Sequence, residues 1–248
     1  KDEFIPSTEI KEHLIVAAPF IAKGDIAFKS KTEVTLASVD KEASIFFRLG
    51  YKGGFKKYQQ PFTIDKGIRL YVYAEKNDVK STTITTDFYK IDPNLKIELK
   101  TKYANQYNAG GNNALIDGIT GTEDFRTGTW QGYWNEDVVA IVDLGQNKSI
   151  SSIGVNFLRD QKSWVFLPTE VDFYVSDNGE KFQKINDWFA PKYFNTDEVE
   201  IEKVNVTQKL NTRYIKVVAK KLGVLPEWHL GNKHDGRSWV FIDEIQIR

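Results

Sequence analysis

The chain of 248 residues contains no cysteine and no methionine. The absence of cysteine excludes disulfides, cysteine nucleophiles and thiolate-bound zinc. No apolar run approaches the roughly 20 residues that a membrane-spanning helix needs, so we expect no transmembrane segment. Lysine plus arginine and aspartate plus glutamate both total 34. A net charge of zero gives no global field for phosphate backbones, and we therefore expect no nucleic-acid partner.

Sequence patterns for metal-dependent or nucleophilic chemistry are scarce as well. The chain has three histidines, and two of them, His229 and His234, are five residues apart in a turn-rich run. That spacing does not match the helical His-Glu-x-x-His pattern of zinc enzymes. A phosphate-binding Gly-Lys-Ser/Thr loop and a Gly-x-Ser-x-Gly turn are also missing.

Adjacent carboxylates occur at Asp243-Glu244, where a glycosidase would need two carboxyl groups converging on one bond. The run VFIDEIQIR alternates like a strand, and successive side chains of a strand point to opposite faces. We therefore expect no catalysis from this chain. Because the sequence has no initiator methionine and no signal segment, we expect a processed form or a piece of a longer protein.

Alternating apolar and polar residues dominate the sequence, which predicts an all-β protein. In the first part, short alternating runs separated by turns predict a β-sandwich of the immunoglobulin-like type. Asp92-Pro93-Asn94 interrupts the pattern, because proline cannot donate to a β-ladder. We therefore predict two domains, residues 1–93 and 94–248. The first-part strands are predicted at 25–30, 32–38, 44–50, 67–75 and 81–91.

The alternating runs of the second part predict a jelly-roll-like sandwich of about eight antiparallel strands. Asp177-Asn178-Gly179 predicts a type I′ hairpin turn between two of them. All six tryptophans lie in this part, and four of them, at 130, 134, 164 and 228, fall in predicted loops, where binding residues collect. The strands are predicted at 138–145, 151–158, 169–176, 181–185, 198–207, 213–221 and 239–247.

One stretch, NNALIDGITGTED (112–124), offers oxygen ligands that suit calcium. Asp117 supplies a carboxylate, Gly118 flexibility and Thr122 a hydroxyl. From spacing alone, a plain turn at Asp117-Gly118 is the favoured interpretation, and calcium binding stays open as the alternative.

A family resemblance rests on ALIDGITGTEDFRTGTWQGYW, VVAIVDLG, VDFYVSDNGEKFQKI and the closing WVFIDEIQI, in that order. Together they resemble the discoidin fold, also called coagulation factor 5/8 type C. Within it, residues 96–248 look most like family-32 carbohydrate-binding modules. The first part, with FRLGYKGGFKKYQQPFTI, is similar to the small sandwich behind the catalytic barrel of bacterial chitobiases and β-N-acetylhexosaminidases.

The resemblance implies the C-terminal region of a family-20 glycoside hydrolase whose catalytic domain lies elsewhere in the polypeptide. It implies glycans and that catalytic domain as partners, and a secreted, periplasmic or cell-surface location. It also implies a structural Ca²⁺ held by Ala114, Asp117, Thr122 and Glu244. Ile119 departs from the acidic or amide residue that many relatives have there.

A sugar presents an apolar face and a polar rim, so proteins bind it with aromatic platforms beside hydrogen-bonding groups. Large aromatics can also cap the ends of a sandwich core, an interpretation open for Trp130 and Trp164 and favoured for Trp188 and Trp239. Two other functions remain: a protein–protein adhesion module and a purely structural accessory domain. The candidate platforms are Trp130, Tyr133, Trp134, Trp164 and Trp228, and the candidate polar partners are Arg159, His229, Asp235 and Arg237.

Overall fold

A computed structural model of the chain describes residues 15–248. The described part is almost entirely β-structure, as the alternation predicts, with 16 strands and five short 3-10 helices. It divides into two compact units between Tyr89 and Lys90. The first 14 residues of the predicted domain 1–93 lie outside the described residues, and its boundary at residue 93 stays a prediction. No helix within residues 15–248 is long and apolar enough to cross a membrane.

The first unit is a sandwich of two antiparallel sheets. One sheet has the order β1-β3-β6, and the other has the order β2-β9-β7-β4-β5, with β8 added to β7. Alternate residues of both sheets, such as Val34 and Leu36 from one and Leu70 and Val72 from the other, pack into one core. The immunoglobulin-like assignment of this unit stays a prediction. The strands are β1 (Phe20–Lys23), β2 (Ala27–Phe28), β3 (Thr32–Ala37), β4 (Ser44–Leu49), β5 (Lys56–Lys57), β6 (Phe62–Ile64), β7 (Ile68–Lys76), β8 (Val79–Lys80) and β9 (Ile84–Lys90).

The second unit is built on one antiparallel sheet with the order β11-β16-β12-β15-β13-β14, to which β10 adds on β12. Three-residue or four-residue 3-10 helices punctuate its loops at Asn105–Tyr107, Ala114–Ile116, Phe125–Thr127, Gln161–Ser163 and Leu230–Lys233. The strands are β10 (Lys96–Leu99), β11 (Gln131–Trp134), β12 (Val138–Arg159), β13 (Glu170–Ser176), β14 (Gln183–Phe189), β15 (Glu200–Lys220) and β16 (Trp239–Ile247).

Two long strands fold this sheet over a single core. Sequence analysis predicts two strands where β12 runs and two where β15 runs, but each is continuous, with register breaks at Asp143/Lys148 and Ile150/Ser152 in their pairing. The first half of β12 pairs with β10 and the second half with β16. Residues from both halves of β12 enter the same core, for example Val142 and Val155. The sheet must therefore bend back on itself, as in a jelly roll.

The predicted hairpin at Asp177-Asn178-Gly179 is present, but its turn is not a two-residue one. Six residues separate β13 from β14, and Gly179 has φ +75°. The Asn178 side chain accepts hydrogen bonds from the backbone N–H groups of Glu180 and Lys181. Asparagine therefore stabilises the turn through its side-chain oxygen and not through a left-handed backbone.

Three connections of the second unit start or end beside one another at one rim of the sheet. Trp134, the last residue of β11, is paired with Trp239, the first residue of β16. The backbone N–H of Trp239 donates to the carbonyl oxygen of Trp164, which follows β12. The loops after β11, after β12 and before β16 therefore meet at this rim.

Candidate functional site

Two of the predicted aromatic platforms are core residues. Trp130 is 1% exposed and Tyr133 is fully buried. The indole of Trp130 donates to the carbonyl oxygen of Thr122 at 2.8 Å, and it lies so close to Gly121 that a Cβ there would be 2.1 Å from the ring. Neither ring offers a face to a ligand. The prediction that they stack on a sugar is wrong, because β11 turns Tyr133 inward and Gly121 leaves space for the Trp130 indole.

Two of the predicted polar partners are also committed within the protein. His229 is 9% exposed; its Nε2 bonds to the carbonyl oxygen of Gln161 at 2.8 Å, and its Nδ1 accepts from the backbone N–H of Gly231 at 3.1 Å. The ring is therefore the Nε2–H tautomer, with neither nitrogen free. Through these two bonds the ring links the two 3-10 helices beside the rim, a connection that we call the His229 latch. The prediction that His229 bonds to sugar hydroxyls is therefore wrong.

Arg159 is the second. Its side chain is 9% exposed, its guanidinium lies 2.5 Å from the carboxylate of Glu200, and it packs over the ring of Phe194. The guanidinium is therefore buried at the end of the β12–β15 pair and does not present its N–H groups to a ligand. The prediction for Arg159 is wrong as well. Arg237 is exposed, and its backbone N–H donates to Asp235; its side chain lines neither of the clefts described next.

Three of the remaining candidates, Trp134, Trp164 and Asp235, line a cleft of about 400 Å³ at the rim, which we call the tryptophan cleft. Two indoles from paired strands, Trp134 and Trp239, form one side with ring centroids 4.8 Å apart. Trp164 approaches from the loop after β12, and Asp235 comes from the loop before β16. The cleft is lined by Trp134, Ser163, Trp164, His234, Asp235 and Trp239.

Trp164 is held rigidly in this position. It adopts a left-handed backbone with φ +61°, and its N–H donates to the carbonyl oxygen of Gln161. The indole lies against the backbone of Gly231, where a Cβ would approach its Nε1 to 2.1 Å, and it meets His229 edge to face at 5.0 Å. A bulky residue in a left-handed conformation is uncommon and persists where the surroundings fix it, a condition that is frequent at binding sites.

Sequence analysis missed three lining residues of the tryptophan cleft. The predicted strand that begins at Trp239 favours a structural role for this residue; its ring does pack against Phe241, but it also lines the cleft. His234 and Ser163 carry no local pattern that separates them from other loop residues. Trp228, a predicted platform, is 38% exposed and lines a neighbouring cleft that shares Trp164.

Three carboxylates lie away from this cleft, around the Asp117-Gly118 turn. Glu244 accepts from the backbone N–H of Gly118 at 3.0 Å, and Asp243 accepts from that of Gly121 at 2.7 Å. Burial raises the pKa of Glu244 to about 8, and the charges of Asp117 and Asp243 add to the effect. Burial likewise raises the pKa of Asp117 to about 6 and moves that of Asp243 upward. The three carboxylates therefore repel one another when they are ionised.

This arrangement fits a calcium ion in part. Calcium prefers oxygen ligands, and the carboxylates of the half-buried Asp117 and the buried Glu244 are of that kind, beside the buried Ala114. The hydroxyl of Thr122, in contrast, donates to the carbonyl oxygen of Asp124. Among residues 15–248, no three His, Cys, Asp or Glu side chains are placed to hold a metal ion. A calcium ion here would depend on the two carboxylates and on backbone carbonyl oxygens.

Comparison with known families matches residues 98–245 to the F5/8 type C domain model. The chain belongs to the F5/8 type C domain family. This match confirms the discoidin resemblance of the second part, and the bent antiparallel sheet is the jelly-roll sandwich that the resemblance implies. No curated protein matches the sequence.

Solved structures similar to the F5/8 type C unit include three bacterial proteins. CpGH89CBM32-5 from Clostridium perfringens, in complex with GalNAc-β-1,3-galactose, is 16% identical and has a TM-score of 0.39, with 62% of this chain and 94% of that chain covered. The C-terminal domain of a Bacteroides fragilis chitobiase is 20% identical (TM-score 0.36; 63% and 93% covered). The family 32 module of C. perfringens NanJ, in complex with galactose, is 13% identical (TM-score 0.36; 62% and 93% covered).

Proposed function

We propose that the F5/8 type C unit binds a neutral glycan in the tryptophan cleft and does not itself catalyse a reaction. The observation that carries the proposal is the convergence of Trp134, Trp164 and Trp239 around one cleft with polar groups at its edge. An indole face packs well against the C–H face of a pyranose ring. Asp235, His234 and Ser163 supply acceptors and donors for the hydroxyl rim.

The charge of the cleft favours a neutral sugar over an acidic one. Asp235 is the one carboxylate among the lining residues, and the lining includes no lysine or arginine. A uronic acid or a sialic acid would bring a second negative charge next to Asp235 without a cation to compensate it.

We expect the binding to be weak. The cleft is shallow, and a hexose has about 12 heavy atoms; at roughly 0.3 kcal/mol per atom, the binding free energy is about 4 kcal/mol, a dissociation constant near 1 mM. Such a site is useful when it is tethered to an enzyme, because the link raises the effective concentration of substrate.

We further propose that this enzyme is a secreted glycoside hydrolase of the β-N-acetylhexosaminidase type, with its catalytic domain elsewhere in the polypeptide. The support is the resemblance of the first unit to the sandwich that follows such barrels. The adjacent carboxylates Asp243 and Glu244 are buried and bonded to backbone N–H groups, away from the tryptophan cleft. They are therefore unsuited to attack a bond held there.

We also propose a structural calcium ion at Asp117 and Glu244. A divalent cation would neutralise these two carboxylates, which repel one another, and would fix the Asp117-Gly118 turn. Calcium at 100 times its dissociation constant would stabilise the unit by about 2.7 kcal/mol. Thermal unfolding should shift upward with calcium relative to chelator, and the shift should disappear in Glu244→Gln. Identical unfolding of the wild type in calcium and in chelator would exclude the ion.

Isothermal titration calorimetry with galactose, N-acetylgalactosamine and N-acetylglucosamine tests the glycan proposal. At least one of them should bind the wild-type chain, and Trp134→Ala should weaken that binding at least tenfold. The matched control is Phe189→Ala, because Phe189 is 63% exposed and lines neither cleft. Unchanged affinity in Trp134→Ala, or no binding of any sugar, would refute the proposal.

Protein–protein adhesion is the second candidate, favoured by exposed apolar residues near the clefts. Leu230 is 86% exposed and Val224 is 71% exposed, and both lie in the loop before β16. An adhesion surface would lose its partner in Leu230→Ser, while sugar binding in the tryptophan cleft would not change.

A further inference from the structure

We propose that the cleft on the other side of Trp164 is a second sugar subsite, so that the ligand of this unit is a neutral oligosaccharide of at least two residues. The proposal rests on the glycan function proposed above and goes further by naming the size and charge of the ligand. The second cleft has a volume of about 360 Å³, close to that of the tryptophan cleft. Its lining includes Gln161, Lys162, Thr196, Asp197, Trp228 and Leu230.

Trp164 lines both clefts and is their common wall. Its backbone is tied to Gln161 and Trp239, and its indole packs on Gly231 and His229. A wall fixed in this way keeps the two clefts at a constant separation. A rigid pair of adjacent clefts favours a ligand of two covalently linked sugars over two separate sugars, because ordering the protein costs little on binding.

The second cleft has its own aromatic platform. Trp228 is 38% exposed, and its ring lies 6.3 Å from Phe166 and 5.9 Å from His229, measured between centroids. These neighbours support the indole from behind and leave part of it open to solvent. The second cleft thus repeats the combination of an indole and polar groups that characterises the first.

The polar wall of the second cleft is anchored to the same loop as Trp164. The backbone N–H of Thr196 donates to the side-chain oxygen of Gln161 at 3.1 Å, and the Gln161 amide donates to the carbonyl oxygen of Phe194 at 3.1 Å. Both bonds hold the segment before β15 against the 3-10 helix that precedes Trp164. The wall is therefore part of one framework with the tryptophan cleft.

The charges of the second cleft balance. Lys162 and Asp197 form an ion pair of 2.9 Å, with side chains 67% and 74% exposed. An exposed pair of this kind contributes little to stability, but it presents ammonium donors and carboxylate oxygens beside the platform. A balanced pair suits hydroxyl or acetamido groups and gives no net attraction to an anionic sugar.

The test compares each monosaccharide with a disaccharide that contains it: N-acetylglucosamine with N,N′-diacetylchitobiose, and galactose with GalNAc-β-1,3-galactose. Calorimetric titration of the full chain should give at least tenfold higher affinity for one disaccharide than for its component sugars. Trp228→Ala should remove that gain and leave monosaccharide affinity unchanged, whereas Trp134→Ala should weaken both. Phe189→Ala is the control for loss of an exposed aromatic residue.

A second variant protects the test against misfolding. Asp197→Ala removes one polar partner from an exposed position, and we expect a threefold to tenfold loss for the disaccharide alone. Equal affinities for mono- and disaccharides, or a disaccharide affinity unchanged in Trp228→Ala and Asp197→Ala, would overturn the second subsite and leave the tryptophan cleft intact. Monosaccharide binding that is unaffected by Trp134→Ala would instead refute the proposed function itself.

Discussion

Two loop regions of the F5/8 type C unit contain the same kinds of residue and use them in opposite ways. In residues 112–130, which we call the Asp-Gly loop, Trp130 is buried and the backbone N–H groups bind the carboxylates of Asp243 and Glu244. Around the tryptophan cleft, Trp164 and Asp235 line a cavity open to solvent. The first region stabilises the fold, and the second is available to a ligand. The comparison teaches that tryptophan and aspartate in a loop do not by themselves indicate a binding site.

The largest effect that separates the two regions is expected from Trp130→Ala. Truncating a buried tryptophan removes its packing and its hydrogen bond to Thr122, which costs about 3–5 kcal/mol of unfolding free energy. Urea denaturation of the chain should show this loss, and Phe189→Ala should stay within about 0.5 kcal/mol of wild type. A Trp130→Ala variant with wild-type stability and no sugar binding would place Trp130 in the binding site and reverse the comparison.

A pH effect should come from the carboxylates that the Asp-Gly loop buries. The folded-state pKa of Glu244, about 8, lies above its ordinary value of 4.5, so its stabilising contribution is complete below pH 4.5 and is lost as the pH rises toward 8. In chelator, the unfolding free energy of the F5/8 type C unit should fall by about 3–4 kcal/mol between pH 5 and pH 8, at about 1.4 kcal/mol per pH unit. Equilibrium unfolding at a series of pH values measures it.

Glu244→Gln is the matched variant for the pH effect, because it keeps the shape of the side chain and removes the titration. Its unfolding free energy should depend less on pH than that of the wild type over the same range. Equal slopes in the two proteins would show that Glu244 does not titrate in this range, and the buried-carboxylate explanation would fail.

The His229 latch holds the 3-10 helix that precedes Trp164, so its removal should affect both the stability of the unit and sugar binding in the tryptophan cleft. His229→Ala removes one hydrogen bond from the carbonyl oxygen of Gln161 and leaves the N–H of Gly231 without its partner, at a cost of about 1–3 kcal/mol. Because Trp164 packs on this ring, sugar affinity should also fall. Thermal unfolding and calorimetry on the same preparation measure the two effects. Lower affinity with unchanged stability would mean that His229 contacts the ligand directly.

The smallest effect on stability is expected from Asp235→Asn. The side chain is exposed, and its contact within the protein is with the backbone N–H of Arg237, which an amide oxygen can also accept. Stability should remain within about 0.5 kcal/mol of wild type. Affinity for the neutral sugar should fall threefold to tenfold, because a charged acceptor makes stronger hydrogen bonds to hydroxyls than an amide does. Unchanged affinity would remove Asp235 from the site.

The sequence alone predicted the β-class, the family of the second part and the clustering of tryptophans there. These properties follow from local alternation and from motifs such as VVAIVDLG and WVFIDEIQI, whose spacing is readable along the chain. Turn lengths and strand continuity were harder to predict from the sequence, since β12 and β15 continue through segments where the alternation pattern predicts breaks. Pairing partners more than 50 residues away keep those segments extended.

Which of the candidate site residues line a cleft depends on the tertiary structure and not on local sequence. Trp130 and Trp164 both follow 3-10 helices at short distance and look alike in sequence. Trp130 is buried because Gly121 and Thr122 receive its indole, while Trp164 remains at a cleft because Trp239, 75 positions further along, binds its carbonyl oxygen. Burial depends on contacts between residues far apart in the chain, and a local pattern cannot encode them. Local alternation and composition were enough to predict the β-fold and the number of tryptophans in the second part. Which of these indoles reach the surface follows from the packing of segments that are far apart in the chain.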